Sequence, residues 1–219
     1  MAKLIIFGLG DIAQIANYYF SMDSEHEVVA FTVDKNYITS NEFEGKPVVA
    51  FEDVEKMYST KEYKMFIAVS YAKMNKVRAE KYKQAKSKGY ELVSYVSSRC
   101  SYLSQHSCGD NCFIFEDNTI QPFVKIGNNV TLWSGNHIGH HSIIEDHNFI
   151  SSHVVVSGHC HIHSFCFIGV NATLGHKVTV AEETLIGAGV IQTKDTVSKG
   201  VYVPAKSVLL DKKSDEINL

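Results

Sequence analysis

The chain has 219 residues, of which 45% are hydrophobic and 21% are charged, so it can bury a core in one large domain or two small ones. The formal net charge of −3 gives no indication of binding to nucleic acid or to an anionic membrane surface. No apolar stretch approaches the roughly 18 residues of a membrane span, and the N-terminal MAKLIIFGLGD reads as a first strand rather than a signal peptide.

The cysteines indicate a reducing compartment. Their number is odd and no CxxC pair occurs, which is typical of free thiols rather than a disulfide framework. We therefore expect a cytoplasmic protein with reduced thiols at Cys100, Cys108, Cys112, Cys160 and Cys166.

The first 95 residues alternate short apolar runs with helical, lysine-rich segments. This alternation predicts a parallel α/β sheet of the Rossmann-like kind. The predicted strands are 4–8, 28–33, 47–49, 65–70 and 90–96, and the predicted helices are 11–20, 51–57 and 75–88.

A glycine turn follows the first predicted strand. Gly8, Gly10 and Asp11 lie where backbone amides at a helix N-terminus can approach a phosphate, and Asp34 ends the second strand, where an acid can hold a ribose or a base. A tight turn without a ligand explains the same glycines, because a short GxGxxA motif is a weak signal. About 95 residues hold one mononucleotide-binding half, so a nucleotide or nucleotide-sugar fits better than a dinucleotide.

The second half of the chain repeats with a period of six. An aliphatic residue recurs without interruption in thirteen successive units, and a small or medium-sized residue follows each one at the fourth position. The first series is Ile114, Ile120, Ile126, Leu132, Ile138, Ile144, Ile150, Val156, Ile162, Ile168, Leu174, Val180 and Ile186. The second is Asn118, Val124, Val130, Asn136, Ser142, Asn148, Val154, Cys160, Cys166, Ala172, Val178, Thr184 and Val190.

Neither an α-helix nor a simple strand explains a period of six. Three six-residue faces make one 18-residue coil, and stacked coils form a prism with the aliphatic series inside. This repeat is similar to that of the hexapeptide acyltransferases, and the resemblance implies a left-handed parallel β-helix that assembles as a homotrimer. In such a prism, residues 18 apart stack in columns, so we expect His140, Gly158 and His176 in one column and His141, His159 and Lys177 in the next.

Nine of the eleven histidines lie between His137 and His176. Four of them recur every six residues at an outward turn position, and for His147 and His153 we expect solvent-facing corners. His161 and His163 flank an inward isoleucine and are also predicted to lie on the surface.

The segment from Asn136 to Ser142 resembles the active-site segment of bacterial sugar acetyltransferases that join a nucleotide-binding domain to a β-helix. That family includes N-acetyltransferases of nucleotide-linked amino sugars and O-acetyltransferases of sialic acid. The resemblance implies that His140 is the general base, in a cleft between neighbouring subunits, with acetyl-CoA as the donor. An imidazole that titrates near neutrality suits this role.

The sequence departs from the family at the next position. The family usually has an acid there, which holds the other nitrogen of the base, whereas this chain has His141. Either Glu145, Asp146 or an acid from a neighbouring subunit takes that role, or the base is less strongly tuned. His141 is itself an alternative base.

Small residues match the stretches that line acetyl-CoA in the family. Gly158, one coil above His140, corresponds to an oxyanion donor, although each glycine can equally be a plain hexapeptide turn. Trp133 is predicted to wall the sugar site, with core packing as the alternative. The residues matching the pantetheine and adenine sites are Gly187, Ala188, Pro204, Ala205 and Lys206.

Three other functions compete with acetyl transfer to a nucleotide-linked amino sugar, for which a 4-amino-4,6-dideoxyhexose is the expected acceptor. The first is O-acetylation of a sugar such as sialic acid. The second is a zinc enzyme resembling the trimeric carbonic anhydrases. His140 and His176 stand roughly 9.6 Å apart and cannot share one ion within a subunit, and for an ion shared across an interface no third histidine lies at a matching place. The third is a non-enzymatic binding scaffold. We expect no metal cofactor.

The sequence thus predicts an α/β plus all-β protein in three parts. Residues 1–95 form a Rossmann-like nucleotide-binding domain, 96–196 a β-helix of about five coils, and 197–219 a segment that completes the CoA site and ends in a polar tail.

Overall fold

The computed structural model describes residues 2–211 and 213–217, with the side chain of residue 215 excepted, so the predicted polar tail lies partly outside the described residues. Its N-terminal part contains strands β1 to β5 and helices α1 to α3. The strands are β1 (Ala2–Phe7), β2 (His26–Val33), β3 (Glu42–Phe43), β4 (Lys46–Ala50) and β5 (Tyr63–Ile67). The helices are α1 (Asp11–Met22), α2 (Val54–Met57) and α3 (Lys76–Ser87), and short 3₁₀ turns occur at Lys35–Tyr37, Phe51–Asp53 and Ser214–Glu216.

The N-terminal strands form one sheet in the order β3-β4-β2-β1-β5, in which all pairs are parallel except β3 with β4. Strand β1 occupies a central position and is buried from Leu4 to Phe7, as expected for a strand covered on both sides. Helix α3 ends just before Gly89, whose φ of +93° is a conformation that glycine adopts without strain. The parallel α/β sheet predicted from the sequence is confirmed.

The second part is a parallel β-helix built from two-residue strands on three flat faces. The first face holds β6 (Tyr95–Val96), β8 (Phe113–Ile114), β11 (Thr131–Leu132), β14 (Phe149–Ile150), β17 (Phe167–Ile168), β20 (Leu185–Ile186) and β22 (Val201–Tyr202). The second face holds β7 (Ser101–Tyr102), β9 (Thr119–Ile120), β12 (His137–Ile138), β15 (Val155–Val156), β18 (Thr173–Leu174) and β21 (Ile191–Gln192). The third face holds β10 (Lys125–Ile126), β13 (Ile143–Ile144), β16 (His161–Ile162) and β19 (Thr179–Val180).

The interior of the prism is formed by the two series that the period of six predicts. Each strand from β6 to β21 pairs in parallel with a strand 18 residues away, as in Ile138 with Val156, whereas β22 pairs with β20 at a spacing of 16 residues. Every member of the aliphatic series is at most 5% exposed and every member of the second series at most 6%. Buried polar members of the second series are satisfied by the neighbouring coil, since the Asn136 side chain accepts a hydrogen bond from the Val154 N–H at 2.8 Å.

The recurrence of histidine every six residues has a backbone cause. His141, His147, His153 and His159 all have φ between +57° and +63°, the left-handed region in which histidine, asparagine and aspartate are enriched among non-glycine residues. The turn of each coil requires this conformation. The recurrence of histidine every six residues is therefore explained by the turn geometry. The chemistry of each histidine depends on its surroundings.

The N-terminal part packs on the first face and on the corner between the third and first faces. The contact centres on Arg78 of α3, whose side chain is buried and donates to the backbone carbonyls of Asn129 and Asn148 at 3.2 and 3.0 Å. Nearby, the Asn75 side chain donates to the Cys166 carbonyl at 3.0 Å. These bonds satisfy groups that the packing removes from water, and so they fix how α3 meets the coils.

One sequence-based prediction is only partly confirmed and another is wrong. The predicted strand 90–96 divides in two: Leu92 forms a single parallel bridge with Met65 of β5, whereas Tyr95–Val96 is a strand that pairs with β8 of the β-helix. His147 is not solvent-facing: it is 7% exposed and packs against Tyr82 of α3. His153 is exposed, as predicted. In the part of the chain that the structure describes, no helix is both long and apolar enough to cross a membrane.

Candidate active site

His140 lies at the corner between the second and third faces, with its imidazole over Gly158 of the next coil. A Cβ atom on Gly158 would lie 2.7 Å from His140 Nε2, so only glycine leaves room for the ring in this position. Among the described residues, no hydrogen bond from the Gly158 N–H is found. The predicted column is confirmed here, and it brings an imidazole next to an amide N–H that has no partner among the described residues.

The second nitrogen of His140 faces His141. The two Nδ1 atoms lie 3.0 Å apart, and the His140 N–H donates to the Gln121 side chain at 2.8 Å. One Nδ1 atom of the pair must carry the proton. If the Nε2 atom of His140 is to accept a proton, its Nδ1–H donates to His141, which then acts as the acceptor.

Glu145 and Asp146 do not support His140. Both lie at the corner between the third and first faces, where Glu145 bonds to His161 and Asp146 accepts from the Asn128 N–H at 2.7 Å. The hypothesis that one of these two acids replaces the family's acid is therefore wrong for a single chain, because the prism places them at a different corner from His140.

His159 lies above His141, as the predicted column requires, but sequence reasoning did not include it among the site residues. Its ring stacks on His141 with centroids 4.7 Å apart and planes 9° apart, and the donor atoms of His140, His141 and His159 lie within 4.8 Å of one another. Burial and the neighbouring imidazoles lower the pKa of His159. The 18-residue spacing places His159 above His141, but the distance between the two rings depends on their rotamers, which the spacing does not determine.

A second candidate site lies at the edge of the N-terminal sheet, in a cleft of about 880 Å³. Its walls come from the glycine turn, the ends of β2 and β5, α3 and the first face of the β-helix. All of the residues predicted for the nucleotide-sugar line this cleft, namely Gly8, Gly10, Asp11, Asp34 and Trp133. Parallel α/β sheets bind ligands at such carboxyl ends of strands.

The two glycines of the turn have different reasons to be glycine. Gly8 has φ of +128°, and a Cβ there would lie 2.7 Å from the Ala68 carbonyl oxygen, so the fold itself requires it. A Cβ on Gly10 would meet no atom within 4 Å, and Gly10 precedes the first turn of α1. The packing therefore leaves open space at a helix N-terminus beside the cleft, as an approaching anion needs.

Lys81 of α3 is a charged residue of the cleft that sequence reasoning did not find. Its Nζ lies 2.6 Å from Asp34 Oδ1, and both side chains line the cleft. The pair joins residues 47 positions apart, so only the docking of α3 reveals it. The Lys81 ammonium holds the Asp34 carboxylate in place and adds a positive charge to the lining of the cleft.

An apolar groove of about 350 Å³ continues from this cleft along the corner between the first and second faces. It shares Trp133 with the cleft and ends at Ala188. Trp133 also stacks on Phe115 at 4.6 Å, so it both packs and lines the groove. Gly187 is next to this end, where an added Cβ would lie 3.6 Å from Pro204 Cδ, and Ala205 and Lys206 follow as exposed residues.

The predicted residues thus fall into two groups within one chain. His140, His141 and Gly158 occupy the corner between the second and third faces, whereas Trp133, Ala188 and the nucleotide cleft belong to the corner between the first and second faces. The second group is completed by Gly187, Pro204, Ala205 and Lys206. The two corners bound the second face from opposite sides.

Known proteins share this architecture. The family model described as bacterial transferase hexapeptide (six repeats) matches residues 123–158, which include His140 and Gly158. The acetyltransferase domain of PglB from Neisseria gonorrhoeae is 19% identical with a TM-score of 0.81, and the match covers 92% of this chain and 96% of that one. The fold is that of the hexapeptide-repeat acetyltransferases, with a left-handed β-helix. The predicted resemblance is thereby confirmed.

Two other solved structures with this hexapeptide-repeat fold are similar over nearly the whole chain. WeeI from Acinetobacter baumannii is 16% identical with a TM-score of 0.77, covering 92% of this chain and 96% of that one. PerB from Caulobacter crescentus, solved with CoA and GDP-perosamine, is 20% identical with a TM-score of 0.60, covering 94% and 97%. Among curated proteins, no sequence matches this chain.

Proposed function

We propose that this protein transfers the acetyl group of acetyl-CoA to the amine of a nucleotide-linked amino sugar. The observation that carries the proposal is the imidazole of His140 lying over Gly158, whose N–H is unpaired among the described residues. Acyl transfer to an amine needs a base for the attacking nitrogen and a donor for the oxyanion, and this pair supplies both.

In the proposed reaction, His140 Nε2 removes a proton from the sugar amine, and the nitrogen attacks the thioester carbonyl carbon. The C–N bond forms, and the Gly158 N–H donates to the oxyanion of the tetrahedral intermediate. The C–S bond then breaks, the sulfur of CoA takes up the proton that His140 holds, and the products are the amide and CoA. His141 positions the base through its Nδ1 atom, and no covalent acetyl-enzyme is required.

The acceptor class follows from the cleft in the N-terminal part, which we propose as the nucleotide-binding domain of residues 1–95. Open space at Gly10 and the paired charges of Lys81 and Asp34 suit a phosphate and a sugar or base hydroxyl. The family resemblance and the similarity to PerB, whose structure was solved with GDP-perosamine, support an amino sugar linked to a nucleotide.

A homotrimer would unite the two groups of residues. If the second face of each chain packs around a three-fold axis, the corner that carries His140 meets the neighbouring chain's corner that carries Ala188. The second face supports this arrangement because it presents exposed apolar side chains, with Val155 41% and Ile191 73% exposed. Acetyl-CoA would then lie between two chains, along Gly187, Ala188 and the segment that follows β22.

The proposal is tested by CoA release from acetyl-CoA with UDP-, dTDP- and GDP-linked 4-amino-4,6-dideoxy sugars. The same nucleotide sugars with a 4-hydroxyl group, and free sialic acid, serve as hydroxyl acceptors. We expect turnover of one amino sugar, and an Asp34→Ala variant should raise its KM about tenfold by loss of a charged contact in the cleft. Asp53→Ala, which removes an exposed acid paired with Lys56, is the matched control and should behave as wild type.

Each outcome separates the alternatives. Turnover of sialic acid alone would show that the reaction is O-acetylation rather than N-acetylation. Turnover of free amino sugars, with an unchanged KM in Asp34→Ala, would contradict the proposal that the acceptor is linked to a nucleotide. Absence of CoA release with every acceptor would contradict acetyl transfer to sugars.

A further inference from the structure

A second cluster of histidines lies on the outer surface of the third face, away from His140. It consists of Glu145, His161 and His163, and Glu145 stands directly below His163 because the two are 18 residues apart. The Glu145 Oε1 atom lies 2.8 Å from His161 Nε2 and 3.1 Å from His163 Nδ1. Two imidazoles from one strand edge therefore aim at a single carboxylate oxygen of the neighbouring coil.

The carboxylate is held so that this oxygen faces the imidazoles. Its other oxygen, Oε2, accepts hydrogen bonds from both the N–H and the hydroxyl of Ser164, each at 3.2 Å. The His161 and His163 rings stack with centroids 4.2 Å apart and planes 28° apart. Ser164 thus orients the Glu145 carboxylate from outside the space between the three ligand atoms, and the stacking holds the two imidazoles side by side.

We propose that Glu145, His161 and His163 bind a divalent transition metal ion of the zinc class. Two imidazole nitrogens and one carboxylate oxygen are a common protein ligand set for zinc, with a further position left for water. The three side chains are between 35% and 37% exposed, which leaves the outer side open to solvent.

The distances between donor atoms fit such an ion after a small expansion. The ligand atoms all lie within 4.8 Å of one another. A tetrahedral zinc ion with bonds of about 2.0 to 2.1 Å places its ligand atoms about 3.3 Å apart, so the present 2.8 and 3.1 Å separations open by a few tenths of an ångström. Surface side chains accommodate such a shift by small rotations.

Metal binding has a defined protonation requirement. The coordinating atoms His161 Nε2 and His163 Nδ1 must give up the hydrogens with which they contact Glu145. Each neutral ring then carries its proton on the remote nitrogen, His161 Nδ1 or His163 Nε2. If either ring is doubly protonated before the metal binds, its second proton is released to solvent on binding.

The ion would join two successive coils, since Glu145 follows β13 and the histidines bracket the end of β16. A metal ion that binds the folded chain but not the unfolded chain raises the free energy of unfolding. The increase grows with the ratio of metal concentration to Kd. The proposal does not depend on acetyl transfer. The cluster of His140, His141 and His159 is the competing metal site, and it lacks a carboxylate.

The experiment titrates tag-free protein with Zn²⁺ by calorimetry and with Co²⁺ by visible absorption, and measures thermal unfolding with and without Zn²⁺. Glu145→Gln and His163→Gln test the site, and His159→Gln is the matched control in the competing cluster. Unfolding without metal shows that each variant is folded.

We expect one Zn²⁺ per chain, a rise in the unfolding temperature, and a Kd at least tenfold weaker in Glu145→Gln and His163→Gln but unchanged in His159→Gln. Binding that survives in His163→Gln, or that His159→Gln removes, would overturn the proposal. So would the absence of Zn²⁺ binding by the folded wild-type protein, because the cluster would then be only a hydrogen-bonded surface network.

Discussion

The ring of His140 covers Gly158 so closely that a single added methyl group would reach within 2.7 Å of the ring's Nε2 atom. The side chain of His140 is exposed, so it can swing aside, whereas the backbone of Gly158 is fixed by the coil. The contact therefore ties the position of the proposed base to the absence of a side chain on the neighbouring coil.

We expect Gly158→Ala to reduce kcat by about 10²-fold while the protein remains folded, because the methyl group displaces the imidazole and obstructs the amide donor. Steady-state CoA release and thermal unfolding measure the two effects. Gly175→Ala, where the added Cβ meets its nearest atom at 3.3 Å, is the control and should retain activity. Equal activity of both variants would contradict the role of the His140–Gly158 contact.

The His140–His141 pair predicts a change in pH dependence when a carboxylate is restored. In His141→Glu, the carboxylate would stabilise a protonated His140, so the acidic limb of the kcat/KM profile should move to higher pH by about one unit. The left-handed turn accepts glutamate, since Glu183 occupies the equivalent position with φ of +57°. His141→Ala should lower kcat about tenfold without this shift. Identical pH profiles in wild type, His141→Glu and His141→Ala would contradict the pairing of His140 with His141.

His147 predicts loss of stability in mild acid. Burial lowers its pKa from 6.5 to about 4, and it remains a neutral acceptor for Asn129 at 2.9 Å. Between these two values the unfolded chain binds more protons than the folded one, so stability present above pH 6.5 is lost as pH falls towards 4. The loss attributable to this group is about 3 kcal/mol.

Urea unfolding of wild type and His147→Asn from about pH 7.5 to about pH 4 measures that loss. Asparagine accepts the left-handed turn and can still bond to Asn129, but it does not titrate. The difference in unfolding free energy between the two proteins should therefore shift in favour of the variant as pH falls. A difference that is independent of pH would show that His147 is protonated equally in both states.

The proposed trimer predicts an asymmetry between two outward apolar residues. Val155 on the second face is 41% exposed and Ile143 on the third face is 36% exposed. Val155→Asp should convert a particle of three chains into single chains, because it puts a charge in the proposed interface. Ile143→Asp should remain trimeric. Light scattering after size-exclusion chromatography measures the molar mass of each variant. A trimeric Val155→Asp variant together with a monomeric Ile143→Asp variant would assign the interface to the third face.

The sequence was most informative where structure is local and repetitive. Ile138 and Val156 stack as the period of six requires, and a tight strand-to-helix turn explains the placement of Gly8. The sequence did not predict contacts between segments that are far apart along the chain. His147 has the same turn conformation as the exposed His153, and only docking of Tyr82 buries it.

The same limit applies to the candidate site. The pairing of Lys81 with Asp34 and of Glu145 with two histidines depends on which elements meet and on rotamers, neither of which a hexapeptide pattern encodes. The run 90–96 divides between the N-terminal sheet and the β-helix, and the sequence did not predict this division because an apolar run does not identify its partner strands. The separation of His140 and Ala188 onto different corners follows from the repeat itself, once the coil has been traced.

The most direct test of the proposed function is the effect of His140→Ala on CoA release with the preferred amino-sugar acceptor. We predict a fall in kcat of about 10² to 10⁴-fold, with binding of acetyl-CoA unchanged by calorimetry, because the base is lost and the donor site is not. His153→Ala, which removes an exposed histidine from an equivalent turn, should leave kcat unchanged. Full activity of His140→Ala would contradict the account of His140 as the general base.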